Sequence, residues 1–340
     1  MTGVDHMTTA IERTELALDI GAKTHAYCCE TRGEVEQGTL ANEPEALRRF
    51  LQARLARTGA LRVLVEATGV YYLDVALLAH ELGAEVTVIN PKAAHHFAKA
   101  LGQRSKTDRL DAAMLLQCLK RMPFKAWEPP RKALLELRCY GRYLVQLTEQ
   151  NAASKNRLHA LSATAASPAK LRADMKRAIT AMDKRIDRIR AEAVTLIKAD
   201  PALLKAFKAL VTVIGVADTS AVSLLSELMV LPFTLRARAC VSHAGLDPRL
   251  FESGTSVHKA TRISKHGNKY LRQALFHPAL SASIHDPYAK AFKDRLVARG
   301  KRKMQAIVAI MRKLLTAIWA IIRHPNPYDA KLLYTTPKIA

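Results

Sequence analysis

Four carboxylates stand out by their surroundings. Asp19 lies inside the apolar run Leu16-Ala-Leu-Asp-Ile20, and Glu66 closes a second run, Leu61 to Ala67, just before Thr68-Gly69. An acid inside an apolar strand is costly unless it is paired, ligated or at an open strand end. Asp108 and Asp111 are spaced i, i+3 at the start of a helical stretch, so they face one side of it. Taken singly, Asp108 suits a helix N-terminus and Asp111 an ordinary surface. Taken together, the four offer hard oxygen ligands, which suit Mg²⁺ or Mn²⁺ rather than zinc. Two such ions about 4 Å apart hold the attacking and leaving oxygens of an in-line phosphoryl displacement. Asp19, Glu66, Asp108 and Asp111 are therefore the expected metal ligands and catalytic acids.

A second reactive stretch follows much later. Ser253-Gly254 reads as a turn carrying an exposed hydroxyl, and Lys259, Arg262, Lys265, His266, Lys269 and Arg272 crowd behind it. A serine there could attack a phosphodiester and become joined to DNA, with the cations stabilising the transferring phosphate. By residue type alone Thr255, Ser256 and Ser264 offer the same hydroxyl, and His243, His258, His266 and His277 are equal candidates for moving its proton. Lys301, Arg302 and Lys303 form a further cluster that suits a backbone phosphate or a solvated helix start.

The elements that must position these groups alternate. Leu16–Ile20, His25–Glu30 and Glu34–Leu40 read as a strand meander with a turn at Arg32-Gly33. A helix opens at Pro44, Leu61–Ala67 is a strand, Tyr72–Leu82 a helix, Glu85–Asn90 a strand, and Ser105 to about Arg121 a helix. That order is an α/β domain with a mixed sheet. After Glu128-Pro129-Pro130, apolar residues from Leu137 to Leu161 recur at 3,4 spacing, with Asn151 and Ser154 as polar steps. A second such stretch runs from Leu171 to Leu196, which gives an antiparallel helical hairpin. Around Gly215 a further helix-turn-helix pair offers backbone N–H groups to a phosphate. Residues 253–285 read as loop-rich, and residues 286–323 as helical.

Composition narrows the partners. The 340 residues carry a net charge of +23 and are 49% hydrophobic but only 6% aromatic. A core can be built, and the low aromatic content argues against an RNA module made of stacked Phe and Tyr. Residues 1–130 are neutral overall, whereas residues 253–340 hold 17 basic residues against 3 acidic ones. Nucleic acid is the expected partner. A membrane is not, because Arg312 and Lys313 interrupt the apolar run from Met304 to Ile322. Five cysteines without a CxxC pair fit a reduced cytoplasmic protein.

The strand order and the carboxylates point to a ribonuclease H fold. At that level the sequence resembles the DEDD-type transposases of bacterial insertion sequences. Asp19 in LALDIGAKTH, Glu66 in VEATGVYY, and Asp108 and Asp111 in KTDRLDAAML stand in that family's motif, with Val88-Ile-Asn-Pro91 beside them. The resemblance implies an α/β RuvC-like domain over residues 12–127 and an antiparallel coiled-coil arm over 128–200. A mainly α transposase domain over 201–325 and an irregular tail, 326–340, would follow. It implies that Ser253, in the Glu-Ser-Gly stretch, is the nucleophile. Similar proteins are guided by a structured noncoding bridge RNA that pairs with donor and target DNA. They work as dimers that become a tetramer in which the acids of a partner protomer hold Mg²⁺. The site would lie in the bacterial cytoplasm, at the nucleoid when active. Two rivals remain from the residues alone. One is a metal-dependent RuvC-like endonuclease of the Holliday-junction resolvase type, with water as nucleophile. The other is a basic nucleic-acid-binding scaffold without catalysis.

Overall fold

The computed structural model describes residues 12–69, 71–102, 107–253, 257–324 and 328–334, with backbone alone between 250 and 260. The chain divides at Pro129/Pro130 into two units, each with its own core.

The first unit is a five-stranded sheet in the order β3-β2-β1-β4-β5. β1 (Thr14–Ile20), β2 (Thr24–Thr31) and β3 (Glu34–Ala41) form an antiparallel meander. Arg32 and Gly33 both take positive φ at its tight turn, 52° and 84°, the conformation whose twist matches paired strands. β4 (Leu61–Glu66) and β5 (Glu85–Ile89) add in parallel beside β1. This mixed order is that of the ribonuclease H fold. α1 (Pro44–Thr58) and α2 (Tyr72–Glu81) cover one face, where Leu16, Leu18, Val63 and Val65 meet Leu47, Leu51, Val75 and Ala79. α4 (Asp108–Arg121) covers the other, where Ala17, Cys28 and Leu64 meet Ala112, Leu115 and Leu116. α3 (Pro91–Ala100) was not expected from the sequence, where Pro91 reads only as the end of a strand. Pro91 is in fact the first residue of that helix, and the Asn90 side chain caps it by accepting from Lys92 N at 2.9 Å.

The second unit begins with α5 (Lys132–Ser162) and α6 (Ala169–Ala199), two 31-residue helices packed as a hairpin. Asn151 is buried and donates to Asp183 Oδ1 across the seam at 2.6 Å, while Lys155 reaches the same oxygen at 3.0 Å. A polar pair at one seam position sets the register of two helices. Ser154 bonds only its own helix, at Gln150 O. The inner half of α5 belongs to the main core of the unit, with α7 (Pro201–Leu210), α8 (Asp218–Leu228), α10 (Lys269–His285) and α12 (Lys303–Arg323). Gly141 permits this. A Cβ there would lie 2.4 Å from Ser226 Cβ on α8, so any larger residue would part the helices.

Among the described residues α12 is the one helix long and apolar enough to cross a membrane. Its Ile310, Leu314 and Ile318 are buried in the core. Residues 253–285, expected to be loop-rich, instead contain the strand Val257–Ile263 and the whole of α10. β6 (Pro248–Ser253) pairs with β7 (Val257–Ile263) as a hairpin, and Asn268 caps α10 by accepting from Leu271 N at 3.1 Å. α9 (Ala237–His243) precedes the hairpin and α11 (Pro287–Ala298) follows α10. The tail, expected to be irregular, carries α13 (Ala330–Tyr334), because Tyr334 is buried beside Phe292.

Candidate active site

Strand alternation fixes the face of the first two acids. Ala17 and Leu64 point toward α4, so Asp19 and Glu66, two residues further along their strands, point the same way. The β1–β4 register ends at Leu18↔Val65, and its next step sets Asp19 beside Glu66. Both are partly exposed, at the C-terminal ends of parallel neighbours, where open α/β sheets bind ligands. Thr68 holds Glu66 by donating its hydroxyl to Oε1 at 2.8 Å.

The helix brings the other pair to the same end. Lys120, near the C-terminus of α4, bonds Glu30 Oε1 at 2.6 Å, and Glu30 pairs with Glu15 near the start of β1. α4 therefore runs antiparallel to β1. From Lys120 back to Asp108 is about 18 Å of helix at roughly 1.5 Å per residue. From Glu15 to Asp19 is about 13 Å of strand at roughly 3.3 Å per residue. Asp111, about 13.5 Å of helix from Lys120, is thus level with Asp19 along the strand, and Asp108 lies about one turn beyond, on the helix that covers that face. Thr107 caps the helix, accepting from Leu110 N at 3.3 Å. Among the described residues no three His, Cys, Asp or Glu side chains close into a metal cage by themselves. The four acids share an end and a face, and their donor set is carboxylate alone, which fits a hard divalent ion.

The sequence-expected serine lies in the other unit. Ser253 ends β6 opposite Val257, and both its side chain and that of Lys259 lie outside the described residues. Arg262, Lys265, Lys269, Lys301, Arg302 and Lys303 are exposed. Arg272 differs from the expectation of a phosphate contact. Its guanidinium donates to Ala244 O at 2.8 Å and Gly267 O at 3.1 Å, tying the loop before β6 to the loop after β7. Gly215 differs too. Its φ is 93°, and a Cβ there would lie 2.4 Å from Pro278 O of α10, so close packing accounts for this glycine.

Sequence reasoning missed a buried hub beneath the hairpin. Glu227 of α8 is 1% exposed and accepts from Arg142 Nε at 2.5 Å, Arg138 Nε at 3.3 Å and Asn268 Nδ2 at 2.5 Å. Burial would raise its carboxyl pKa, but these donors hold it below the usual range. The only sequence signal was an acid inside the apolar run of α8. Glu227→Gln leaves two arginines without their counter-charge, and an expected loss of at least about 3 kcal/mol should be read by urea unfolding. Because the folded pKa is depressed, the wild-type stability from this group is present above the ordinary carboxylate range. It is lost as pH falls through the folded value, an acid limb the Gln variant should lack.

With this geometry in view, relatives identify the lineage. A model of DEDD transposases of the IS110 type matches residues 16–163, and one described as transposase of the IS116/IS110/IS902 family matches residues 208–294. The pilin gene-inverting protein of Moraxella lacunata is 31% identical over 328 residues, covering 95% of this chain and 99% of its own length. The chain belongs to the IS110 family of transposases. It is accordingly an enzyme of DNA recombination with a RuvC-like first unit. The pilin gene-inverting protein of Moraxella bovis matches over the same span, again at 31% identity. An insertion element IS110 protein of Streptomyces coelicolor is 33% identical over 91 residues, covering 27% of this chain and 22% of its own length. The crystal structure of the yeast mitochondrial Holliday junction resolvase Ydc2 overlaps 32% of this chain and 80% of its own, at 12% identity and a TM-score of 0.24. The fold assignment rests on the strand order instead.

Proposed function

We propose that this IS110-family transposase exchanges DNA strands through a covalent link to Ser253, at a site completed by the four carboxylates of a second protomer. The observation that supports this reading is the strand register that sets Asp19 beside Glu66 at the C-terminal ends of β1 and β4, on the face covered by the helix that carries Asp108 and Asp111. Bound Mg²⁺ (or Mn²⁺) would supply charge neutralisation at the phosphate. Ser253 Oγ attacks the phosphorus, an Oγ–P bond forms and one P–O bond to deoxyribose breaks. The departing sugar oxygen takes up a proton. Attack on the linked phosphate by the hydroxyl of another strand end reverses the step and reseals DNA without an outside energy source. Exposed cations beside the hairpin hold strand phosphates meanwhile.

Partner choice belongs to a structured bridge RNA pairing with donor and target DNA, with two dimers forming a tetramer on the paired sites. Support comes from the charge of the second unit and from the sequence resemblance. Inversion, the reaction in the name of the Moraxella relatives, is the same exchange between two sites in one molecule. The guide is tested by stripping copurified RNA from the full chain. Recombination between donor and target plasmids should stop and return when the RNA is added back. Unchanged recombination without RNA overturns the guide.

A further inference from the structure

At the root of the β6–β7 hairpin, against the first turns of α12, lies a cavity of about 470 Å³. Its floor is apolar, formed by Leu246, Leu296, Met304 and Val308, and its rim carries Arg262, Lys265, Lys301 and Arg312. No acid lines it. Among the described residues none of these four cations has an ion-pair or hydrogen-bond partner for its side chain. Elsewhere in the unit Arg272, Lys293, Arg295 and Lys313 all donate to backbone carbonyls. The rim is therefore basic and, among the described residues, without ion-pair partners, whereas neighbouring cations are engaged.

Lys265 adds a second feature. Its φ is 51°, in the left-handed region that side chains with a Cβ adopt only at a cost. The conformation is held by Lys265 N donating to Gly245 O at 3.1 Å, and by the Ser264 hydroxyl bonding Asp247 Oδ1 at 2.7 Å. A strained cation on the rim of a cavity is a feature expected of a ligand site. Met304 is 57% exposed, so the floor has no cover of its own at that point.

An intact duplex turns its phosphates outward and stacks its bases inside, so it meets the rim but not the floor. An apolar protein segment meets the floor but leaves four cations without counter-charge. A strand with one unstacked base satisfies both, because a base offers an apolar face and is flanked by phosphates. We infer that this cavity seats one unstacked nucleotide of the DNA strand on which Ser253 acts, its base on the floor and its neighbouring phosphates on the rim. The choice of strand rests on the proposed function. Pro248, on the cavity wall, is about 17 Å along β6 from Ser253 at roughly 3.3 Å per residue. A strand continuing with duplex spacing of about 3.4 Å per nucleotide places the seated base about five nucleotides from the attacked phosphate.

The test uses the full chain without divalent metal, so that no strand is cut. A twelve-nucleotide DNA strand with a single photoreactive 4-thiothymine is irradiated with the protein, and the attached peptide is mapped by mass spectrometry. Attachment within residues 304–312 or 246–248 is expected, and attachment confined to other segments overturns the inference. Anisotropy with the same strand gives the energetics. Met304→Glu should weaken its binding at least tenfold and weaken a duplex of the same length, which meets only the rim, by clearly less. Lys301→Ala with Arg312→Ala should lower the slope of log affinity against log salt by about 1.4. A strand with an abasic site binding as tightly as the intact one reduces the cavity to a phosphate site and overturns the base seat. An RNA twelve-mer preferred over DNA reassigns the site to RNA and overturns the choice of strand. If Met304→Glu changes the protein's own sedimentation and not strand binding, the floor is a protein interface and the inference fails. Ser253→Ala should bind the strand as the wild type does, so loss of the serine reading and loss of this site are told apart.

Discussion

Ser253→Ala is expected to abolish recombination between donor and target plasmids, with no detectable product, while DNA and RNA binding stay within about twofold of wild type. The change removes one oxygen from the last residue of β6, and the strand pairing opposite Val257 needs only backbone groups. Nucleophilic catalysis has no partial substitute when the attacking atom is gone. The readout is a denaturing gel of labelled DNA after incubation with Mg²⁺. Wild type should give a band shifted by the mass of the protein and removed by protease, and the variant should give none. A variant that still recombines eliminates the serine mechanism and favours water as the nucleophile, the endonuclease reading. The hydroxyls at Thr255, Ser256 and Ser264 make useful controls. Ser264 in particular bonds Asp247 at 2.7 Å, so it is already engaged.

How far the sequence foretold this architecture depends on the range of the interaction concerned. The meander, the parallel pair and α4 follow from local apolar periodicity and turn residues, and they are present nearly as expected. The acids were legible because charge inside an apolar strand is a local anomaly. Their shared end and face were not, since that needs the direction of α4, which a contact across 90 residues establishes between Lys120 and Glu30. β6 and β7 escaped notice because their sequence is basic and lacks clean alternation. Their pairing is further interrupted by a register shift between Arg249 and Phe251. The arm was read as separate because its heptad seam looks self-sufficient. Nothing local shows that Leu137 and Leu144 also face α8 and α10 in one core.

The same distinction separates Arg272 from Arg262. Both are arginines in a basic stretch, and composition treats them alike. Arg272 meets two carbonyls because α10 presents it to the α9–β6 loop, and its burial lowers its pKa below the usual guanidinium value. Arg262 emerges from the end of β7 with no partner among the described residues. Charge totals therefore indicate that the second unit binds an anion, but tertiary contacts decide which cations remain to do it. Glu227 illustrates the converse. Its run of helix reads as plain core, yet it collects groups from α5 and from the cap of α10.

Asp19→Asn is expected to lower strand exchange by at least about 10³-fold, about 4 kcal/mol of activation free energy. The substitution keeps the size of the side chain and much of its hydrogen bonding, and removes the charge. On β1 the position is one step past the Leu18↔Val65 pair, beside Glu66 and on the face that α4 covers. A divalent ion held by carboxylates loses both attraction and a hard ligand when one becomes an amide. Adduct formation should then need at least tenfold more Mg²⁺, whereas DNA binding in the absence of metal should be unchanged. Glu15→Gln is the matched control. Glu15 shares the strand and the face but stands about 13 Å away at its far end, at roughly 3.3 Å per residue, where it pairs with Arg13 at 3.8 Å. If the two variants lose activity alike, the loss comes from the strand and not from a site. If Asp19→Asn alone is impaired and a chelator stops the wild type equally, the carboxylates act through the metal. Full activity of Asp19→Asn would remove this end of the sheet from the chemistry and leave Ser253 to act without it.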